Sequence, residues 1–303
     1  MPTSKAENIL SKIYIFVKNN YGELIGKDKN EVKRSLAKEL GDKDFSIMSS
    51  VLENHLDHIY KRIIDGMKEN GYRSIYRYTI ETVSNFTIDR GIGPLRIVFE
   101  IGLAIHPIYG IPYIPSSALK GAFNHTALRY AEFLDSKLNI DAGKSKGVFT
   151  SIVEWVLGHD GSGISHIMFS DAFPEFSGRL LSPDVITPHY TDKIENELRV
   201  KPNPLIHIVV SKGVKFRFYM GISHRRFERI ENVLVVRGLG NLKSELDREE
   251  RLRRYIKLGG EKEIAFRLEE FSRDVIHLML ELGVGAKTNV GYSRFRIVEE
   301  TSV

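Results

Sequence analysis

The residues with the most chemistry in their spacing are GVGAKTNVGYSRF, from Gly283 to Phe295. A helical pattern ends at Gly283, where glycine most easily takes the left-handed conformation that closes a helix. Gly285 and Gly291 allow a backbone to approach a neighbour closely. Lys287 and Thr288 add a cation and a hydroxyl. Successive backbone N–H groups in such a loop can cradle phosphate oxygens. Strand alternation from Tyr292 puts Tyr292, Arg294 and Arg296 on one face, with Phe295 and Ile297 on the other. A ring between guanidiniums suits stacked bases and phosphates. The stretch is not a Walker A loop, because Ala286 stands where glycine must precede the lysine. Its order of helix, loop, strand also differs from that motif and from the dinucleotide fingerprint. The plain alternative is a Gly-rich connection carrying solvated cations.

A second candidate lies in HPIYGIPYIPSSALKGAF, from His106 to Phe123. Pro107, Pro112 and Pro115 impose an extended approach to a helix. Ser116 or Ser117 would be its N-cap, and Lys120 falls in its first turn. Hydroxyls, open amides and a lysine at a helix start can hold an anion; simple capping with Lys120 in water is the alternative. Ser117 and Lys120 also match the Ser-x-x-Lys spacing of penicillin-recognising enzymes. No Lys-Thr-Gly or Ser-Asp-Asn accompanies them, since Asn289 follows Lys287-Thr288. His55 and His58 are three apart on a helical stretch but lack a third ligand of telling spacing. His159-Asp160 reads as turn chemistry, and Asp171 as a turn or capping residue or a functional carboxylate. His106, His125 and His189 could serve a metal-independent ribonuclease as acid or base, though their spacing does not show it.

These residues need elements to position them. Residues 1 to about 70 read as helical, with Ile9, Ile13, Phe16 and Val17, and then Val51 to Met67, at helical spacing. From Tyr72 the texture changes. Ser74–Thr87 and Leu95–Ile105 are rich in β-branched and aromatic residues and read as strands. A helix with Leu119, Phe123, Ala127, Tyr130 and Leu134 on one face follows Pro115. A short helix at Ile152–Leu157 and a strand at Ile164–Phe169 come next. Residues 172–204, punctuated by prolines, read as an irregular excursion. Leu205–Val210 and Val214–Ile222 read as the two strands of a hairpin joined by Ser-Lys-Gly. Residues 224–260 carry ten Lys or Arg against six Asp or Glu and read as a solvated charged helix. A long helix with Ile264, Leu268, Phe271, Val275, Leu278 and Leu282 on one face stops at Gly283, and Tyr292–Val298 is the last strand. Mixed helices and strands with an antiparallel hairpin favour α+β.

The composition bounds the function. The 303 residues are 42% hydrophobic and 27% charged, which is globular rather than disordered. There are no cysteines, so disulfides, thiolate metal sites and a cysteine nucleophile are excluded. Lys and Arg total 44 against 39 Asp and Glu, a net charge of +5 that is compatible with a polyanionic partner. The N-terminal residues lack an apolar core and a small-residue cleavage site, so no signal peptide is expected. No apolar run is long enough to span a membrane, and a cytoplasmic location is expected.

Three segments together resemble the repeat-associated mysterious proteins (RAMPs) of CRISPR systems: HPIYGIPYIPSSALKGA, SPDVITPHY with the following LIHIVVSKGVKFRFYMGI, and GVGAKTNVGYSRF. Asp184 to Tyr190 narrows the resemblance to the branch supplying the sixth subunit of type III-B (Cmr) RNA-targeting complexes. The likeness covers roughly residues 95–298. Ser116 replaces the usual glycine after the first proline of the helix start, and Ser293 replaces the second glycine of the late Gly-aromatic-Gly-Arg pattern. The resemblance implies a ferredoxin-like (RRM-like) βαββαβ RAMP core over 72–303, carrying irregular insertions and preceded by a helical segment over 1–71. It implies a non-catalytic subunit, without cofactor or metal, that holds the 3′ part of the CRISPR RNA. The partners would be CRISPR RNA, target RNA, other RAMP subunits and small helical subunits of the complex. The RNA-binding residues carried over are Ser116, Ser117, Lys120, Gly283, Gly285, Lys287, Thr288, Gly291, Tyr292 and Arg294, with His189 and Tyr190 as RNA or partner contacts. The rival readings are a metal-independent RAMP endoribonuclease that processes repeat RNA and a protein-interaction scaffold without RNA affinity.

Overall fold

A computed structural model describes residues 8–24, 29–45, 49–88, 94–137, 147–158, 165–176, 178–187, 204–223, 234–237, 252–259 and 263–303. Strand β1 (Tyr72–Thr82) alternates Tyr, Ile and Thr with polar residues and forms the centre of a sheet. Strand β2 (Ile167–Phe169), β6 (Lys215–Ser223) and β10 (Phe295–Ser302) complete it in the order β10-β1-β6-β2, with every pairing antiparallel. Helix α4 (Ser116–Lys137) connects β1 to β2, and helix α6 (Leu268–Leu282) connects β6 to β10. In chain order this is βαββαβ with spatial order 4-1-3-2, the ferredoxin-like arrangement. The two helices pack on each other, burying Leu119, Phe123, Ala127, Ala131 and Leu134 from α4 and Phe271, Val275, Ile276 and Met279 from α6. These positions recur every three to four residues, which puts them on one helical face. Beneath them Tyr78 and Phe218 stack at 5.2 Å across β1 and β6.

Insertions surround this unit. Helices α1 (Ile9–Leu24), α2 (Lys29–Gly41) and α3 (Ser49–Glu69) precede β1. Ile9, Ile13, Leu36, Leu40, Leu56, Tyr60 and Met67 join the same core as the sheet. Helix α3 lies on the opposite sheet face from α4 and α6. Its Tyr60 ring sits 4.9 Å from Tyr219 and 5.2 Å from the Arg217 guanidinium. Gly221 lets the helix pack closely beneath it, since a Cβ there would stand 3.1 Å from Met67 Sδ and 3.2 Å from Tyr72. Helix α5 (Val148–Leu157) packs on α4, and β3 (Phe173–Pro174) pairs with the start of β6. Strands β4 (Leu181–Ile186) and β5 (Leu205–Val210) form a two-stranded sheet on α2. Strands β7 (Leu234–Arg237), β8 (Ile256–Gly259) and β9 (Glu263–Phe266) form a third sheet before α6.

Several expectations are corrected. Leu95–Ile105 is not a strand. It begins as a 3-10 turn over Pro94–Ile97 and continues irregularly, although Leu95, Phe99 and Leu103 are fully buried. A buried apolar run without periodicity does not distinguish strand from irregular core. The excursion over 172–204 contains two strands, β3 and β4. The expected strands around Ser211-Lys212-Gly213 both form, but not as a hairpin: β5 pairs with β4, while β6 enters the central sheet. The connection diverts them, with Gly213 at φ +87° donating to Thr82 O at 2.8 Å and Ser211 donating to Leu180 O at 2.9 Å. Where 224–260 is described it is strand and 3-10 turn rather than charged helix. Ile264 belongs to β9, not to the long helix. No helix among the described residues is long and apolar enough to cross a membrane.

Candidate nucleic-acid interface

The register of the sheet brings both sequence candidates to one end of it. Thr82, the end of β1, faces Phe295 at the start of β10, and Glu81 faces Lys215 at the start of β6. The Gly-rich loop enters β10 at this end. The start of α4 approaches the same end through Asp171, which precedes β3 and its pairing with the start of β6.

The base of the Gly-rich loop is tied to the segment after β1. Val284 N–H donates to Ser293 O, Ala286 N–H to Thr87 O and Ser293 N–H to Asn85 O, each at 2.9 Å. The buried Ser293 hydroxyl accepts from Thr87 N–H at 3.2 Å and lies 2.9 Å from Ala286 O. Gly283 and Gly285 have φ of +108° and +121°. A Cβ at Gly285 would stand 2.7 Å from Thr87 O, and one at Gly283 would stand 2.7 Å from Thr288 Cγ2. The close approach that these glycines permit is therefore to this chain's own backbone. Ser293, at φ +61°, interrupts the expected alternation, so β10 begins at Phe295 and Tyr292 lies outside it.

The apex of the loop differs. Lys287 and Gly291, at φ +62° and +88°, flank a 3-10 turn over Thr288–Val290. Among the described residues, chain neighbours aside, no heavy atom lies within 4 Å of a Cβ placed on Gly291. Lys287 Nζ lies 5.0 Å over the Tyr292 ring. The Tyr292 hydroxyl donates to Asp184 Oδ2 at 2.7 Å, which joins the Gly-rich loop to the Asp184 segment. Asn85 Nδ2 reaches the same oxygen at 3.4 Å. Arg294, two residues after Tyr292, is exposed and anchored through its backbone to Ser84 Oγ at 3.3 Å and to Val83 N–H at 3.0 Å.

The start of α4 has a cap that the local sequence does not reveal. Pro115 O accepts from Ala118 and Leu119 N–H, so Pro115 holds the cap position and neither Ser116 nor Ser117 does. Ser116 N–H donates to Asp171 Oδ1 at 2.6 Å. A carboxylate here suits the positive helix end, and it leaves that amide satisfied within the chain. Ser117 and Lys120 remain exposed. His189 and Tyr190 lie outside the described residues.

The sheet face opposite α4 and α6 does not offer an open stacking platform. Helix α3 covers Tyr219, which is 7% exposed. Further along that face Arg77 pairs with Glu299, and Arg296 pairs with Glu81 at 2.9 Å. Of the histidines, His106 stacks on Tyr109 at 4.3 Å, and its Nδ1 accepts from Ile108 and Tyr109 N–H, each at 3.3 Å. Burial lowers its pKa, partly opposed by Asp171. His55 Nε2 lies 3.3 Å from Tyr109 OH.

Comparison with known proteins agrees with this architecture. The sequence profile of the RAMP superfamily matches residues 79–296. A curated protein described as "CRISPR system CMR subunit Cmr6", from Saccharolobus solfataricus, is 28% identical over 209 residues, covering 65% of this chain and 65% of the relative. A chain in a cryo-EM structure of the type III-B Cmr-beta complex bound to cognate target RNA shares the fold, with a TM-score of 0.64 and 21% identity. That match covers 98% of this chain and 93% of the other. The crystal structure of Cmr6 from Pyrococcus furiosus gives a TM-score of 0.37 at 20% identity, covering 74% and 97%. With a family match spanning most of the chain and a 4-1-3-2 antiparallel sheet beneath it, the protein belongs to the RAMP superfamily.

Proposed function

We propose that the protein is a non-catalytic, RNA-binding assembly subunit of a type III-B CRISPR effector complex, holding the 3′ part of the CRISPR RNA. The observation that carries this reading is the 28% identity to a Cmr6 subunit over 209 residues. The geometry supports where RNA would lie. The apex of the Gly-rich loop carries Lys287, and exposed Arg294 follows the loop's base at the end of the sheet, while the sheet face itself is closed by α3 or ion-paired. Contacts there would be to phosphates and largely independent of base sequence. Lys120 would add a cation from α4, whereas the Ser116 amide already serves Asp171. Tyr292 would position Lys287 through its ring while Asp184 holds its hydroxyl.

The test is a labelled single-stranded repeat RNA titrated with the pure protein, with and without EDTA, each sample split between native and denaturing gels. A salt-sensitive shift with intact RNA is the expected result. Discrete cleavage products would replace this reading with a ribonuclease, and EDTA resistance would then indicate acid–base chemistry by side chains. No shift and no cutting would leave a protein scaffold.

A further inference from the structure

Between α3 and the strands β3 and β6 lies a cavity of about 350 Å³. This volume is at the small end of ligand pockets, which run roughly 300–1,000 Å³. Its apolar lining is Leu56, Tyr60, Phe173, Pro174 and Phe176, all buried. Its polar lining is Glu53, Asp57, Glu175 and Arg217. Arg217 pairs with Asp57 at 2.5 Å and lies over the Tyr60 ring. That leaves Glu53 and Glu175, both half-buried, with no ion-pair or hydrogen-bond partner for their carboxylates among the described residues. Three carboxylates against one guanidinium make the lining net acidic on a chain of net charge +5.

We infer that this cavity receives an arginine side chain from a basic segment of a protein partner. The sign of the lining opposes a phosphate, so this surface is distinct from the RNA path proposed above and does not depend on it. A planar guanidinium can pair with a carboxylate through two parallel N–H donors and lay its face on an aromatic ring. Arg217 already combines a carboxylate contact, to Asp57, with a place over the Tyr60 ring at 5.2 Å. Glu53 and Glu175 come from α3 and from the residue after β3, so an arginine entering between them would bridge the N-terminal helices to the sheet.

The experiment uses the full chain with its Leu methyl groups labelled, and follows Leu56 by NMR. Acetyl-arginine methylamide is titrated against the uncharged, near-isosteric acetyl-citrulline methylamide. Saturable shifts at Leu56 with the arginine compound, weakened about tenfold or more with citrulline, are expected for a site that reads charge. Glu53→Gln with Glu175→Gln should abolish the difference between the two compounds while leaving the other methyl signals in place. Absence of saturation up to the solubility limit of the arginine compound overturns the inference, as does equal binding of citrulline. Spermidine binding more tightly than the arginine compound also overturns it, by making a free polyamine the occupant. The wild-type arms decide the matter even where the double variant folds poorly.

Discussion

The Gly-rich loop and the start of α4 are both basic, both sit at the end of the sheet where β1 finishes, and both look from sequence like places to hold a phosphate. They are built differently. In the loop, glycine serves folding at the base and cations occupy the apex. Gly285 lies against Thr87 O, Lys287 stands beyond that anchor, and Arg294 is exposed where the chain leaves the loop for β10. At α4 the first amide is given to a carboxylate from elsewhere in the chain, while Ser117 and Lys120 stay exposed. Positive charge and open backbone amides, which coincide in a simple anion site, are thus separated in both segments. What remains available to RNA is mainly side-chain charge, which gives affinity and salt dependence rather than base specificity.

The largest effect that would test this division is at the base of the loop. Gly285→Ala places a methyl 2.7 Å from Thr87 O at a φ of +121°. Thr87 O cannot retreat without loosening its bond from Ala286 N–H, at 2.9 Å. The expected loss is about 3 kcal/mol, combining left-handed strain with overpacking. Gly291→Ala, with open space around it, should lose only the strain, about 1 kcal/mol. Denaturant unfolding of the two variants measures the difference. Equal losses would mean that base and apex are not distinct.

The next effect lies at α4. Asp171→Asn keeps an acceptor for Ser116 N–H but removes the charge from the positive helix end. Stability should fall by about 1 kcal/mol or less, and RNA binding should tighten, because a phosphate near Lys120 would no longer meet a carboxylate. Unchanged affinity in a titration at low salt would remove the start of α4 from the RNA path. His106, close enough to feel Asp171, offers a pH test of the same neighbourhood. Its folded pKa is depressed chiefly by burial, so the unfolded chain binds the proton more readily. The associated stability is complete above about pH 6.5, the ordinary histidine value, and is lost as pH falls through the lower folded pKa. His106→Phe should flatten that acid-side loss. An equally steep loss in the variant would assign it to other groups.

The elements behind these sites were legible where a period was strong. Leu119, Phe123, Ala127 and Leu134 announced α4, and the alternation through Phe216, Phe218 and Met220 announced β6. Pairing was less legible. A three-residue Ser-Lys-Gly connection looks like a hairpin turn, yet β5 finds a partner in proline-containing β4, which reads as loop. The residues of the loop were recognisable, but the division between base and apex was not. Gly285 is required by Thr87, and Ser293 bonds to a residue 206 positions earlier, so no local pattern carries the information. The Asp171 cap is 55 positions from the helix it closes, and the two serines beside the helix start made a local cap the natural expectation.

The smallest structural effect carries the sharpest functional contrast. Lys287→Ala with Arg294→Ala removes an exposed and a half-exposed cation, together with surface contacts such as that of Lys287 over the Tyr292 ring, a kind worth about 0.5–1 kcal/mol at exposed sites. Unfolding should therefore change little. RNA binding should respond much more, because each phosphate contact to a single strand contributes about 0.7 to the slope of log affinity against log salt. The double variant should lower the slope by about 1.4 if each residue meets one phosphate, and Lys120→Ala should lower it by no more than about 0.7. The slope, rather than the affinity at one salt concentration, is the quantity to compare, since a misfolded fraction lowers apparent affinity at every salt alike. A slope preserved in the loop variant but reduced by Lys120→Ala would reverse the assignment and make α4 the phosphate-binding segment despite its carboxylate. Slopes preserved in both would place the RNA on another surface of the subunit.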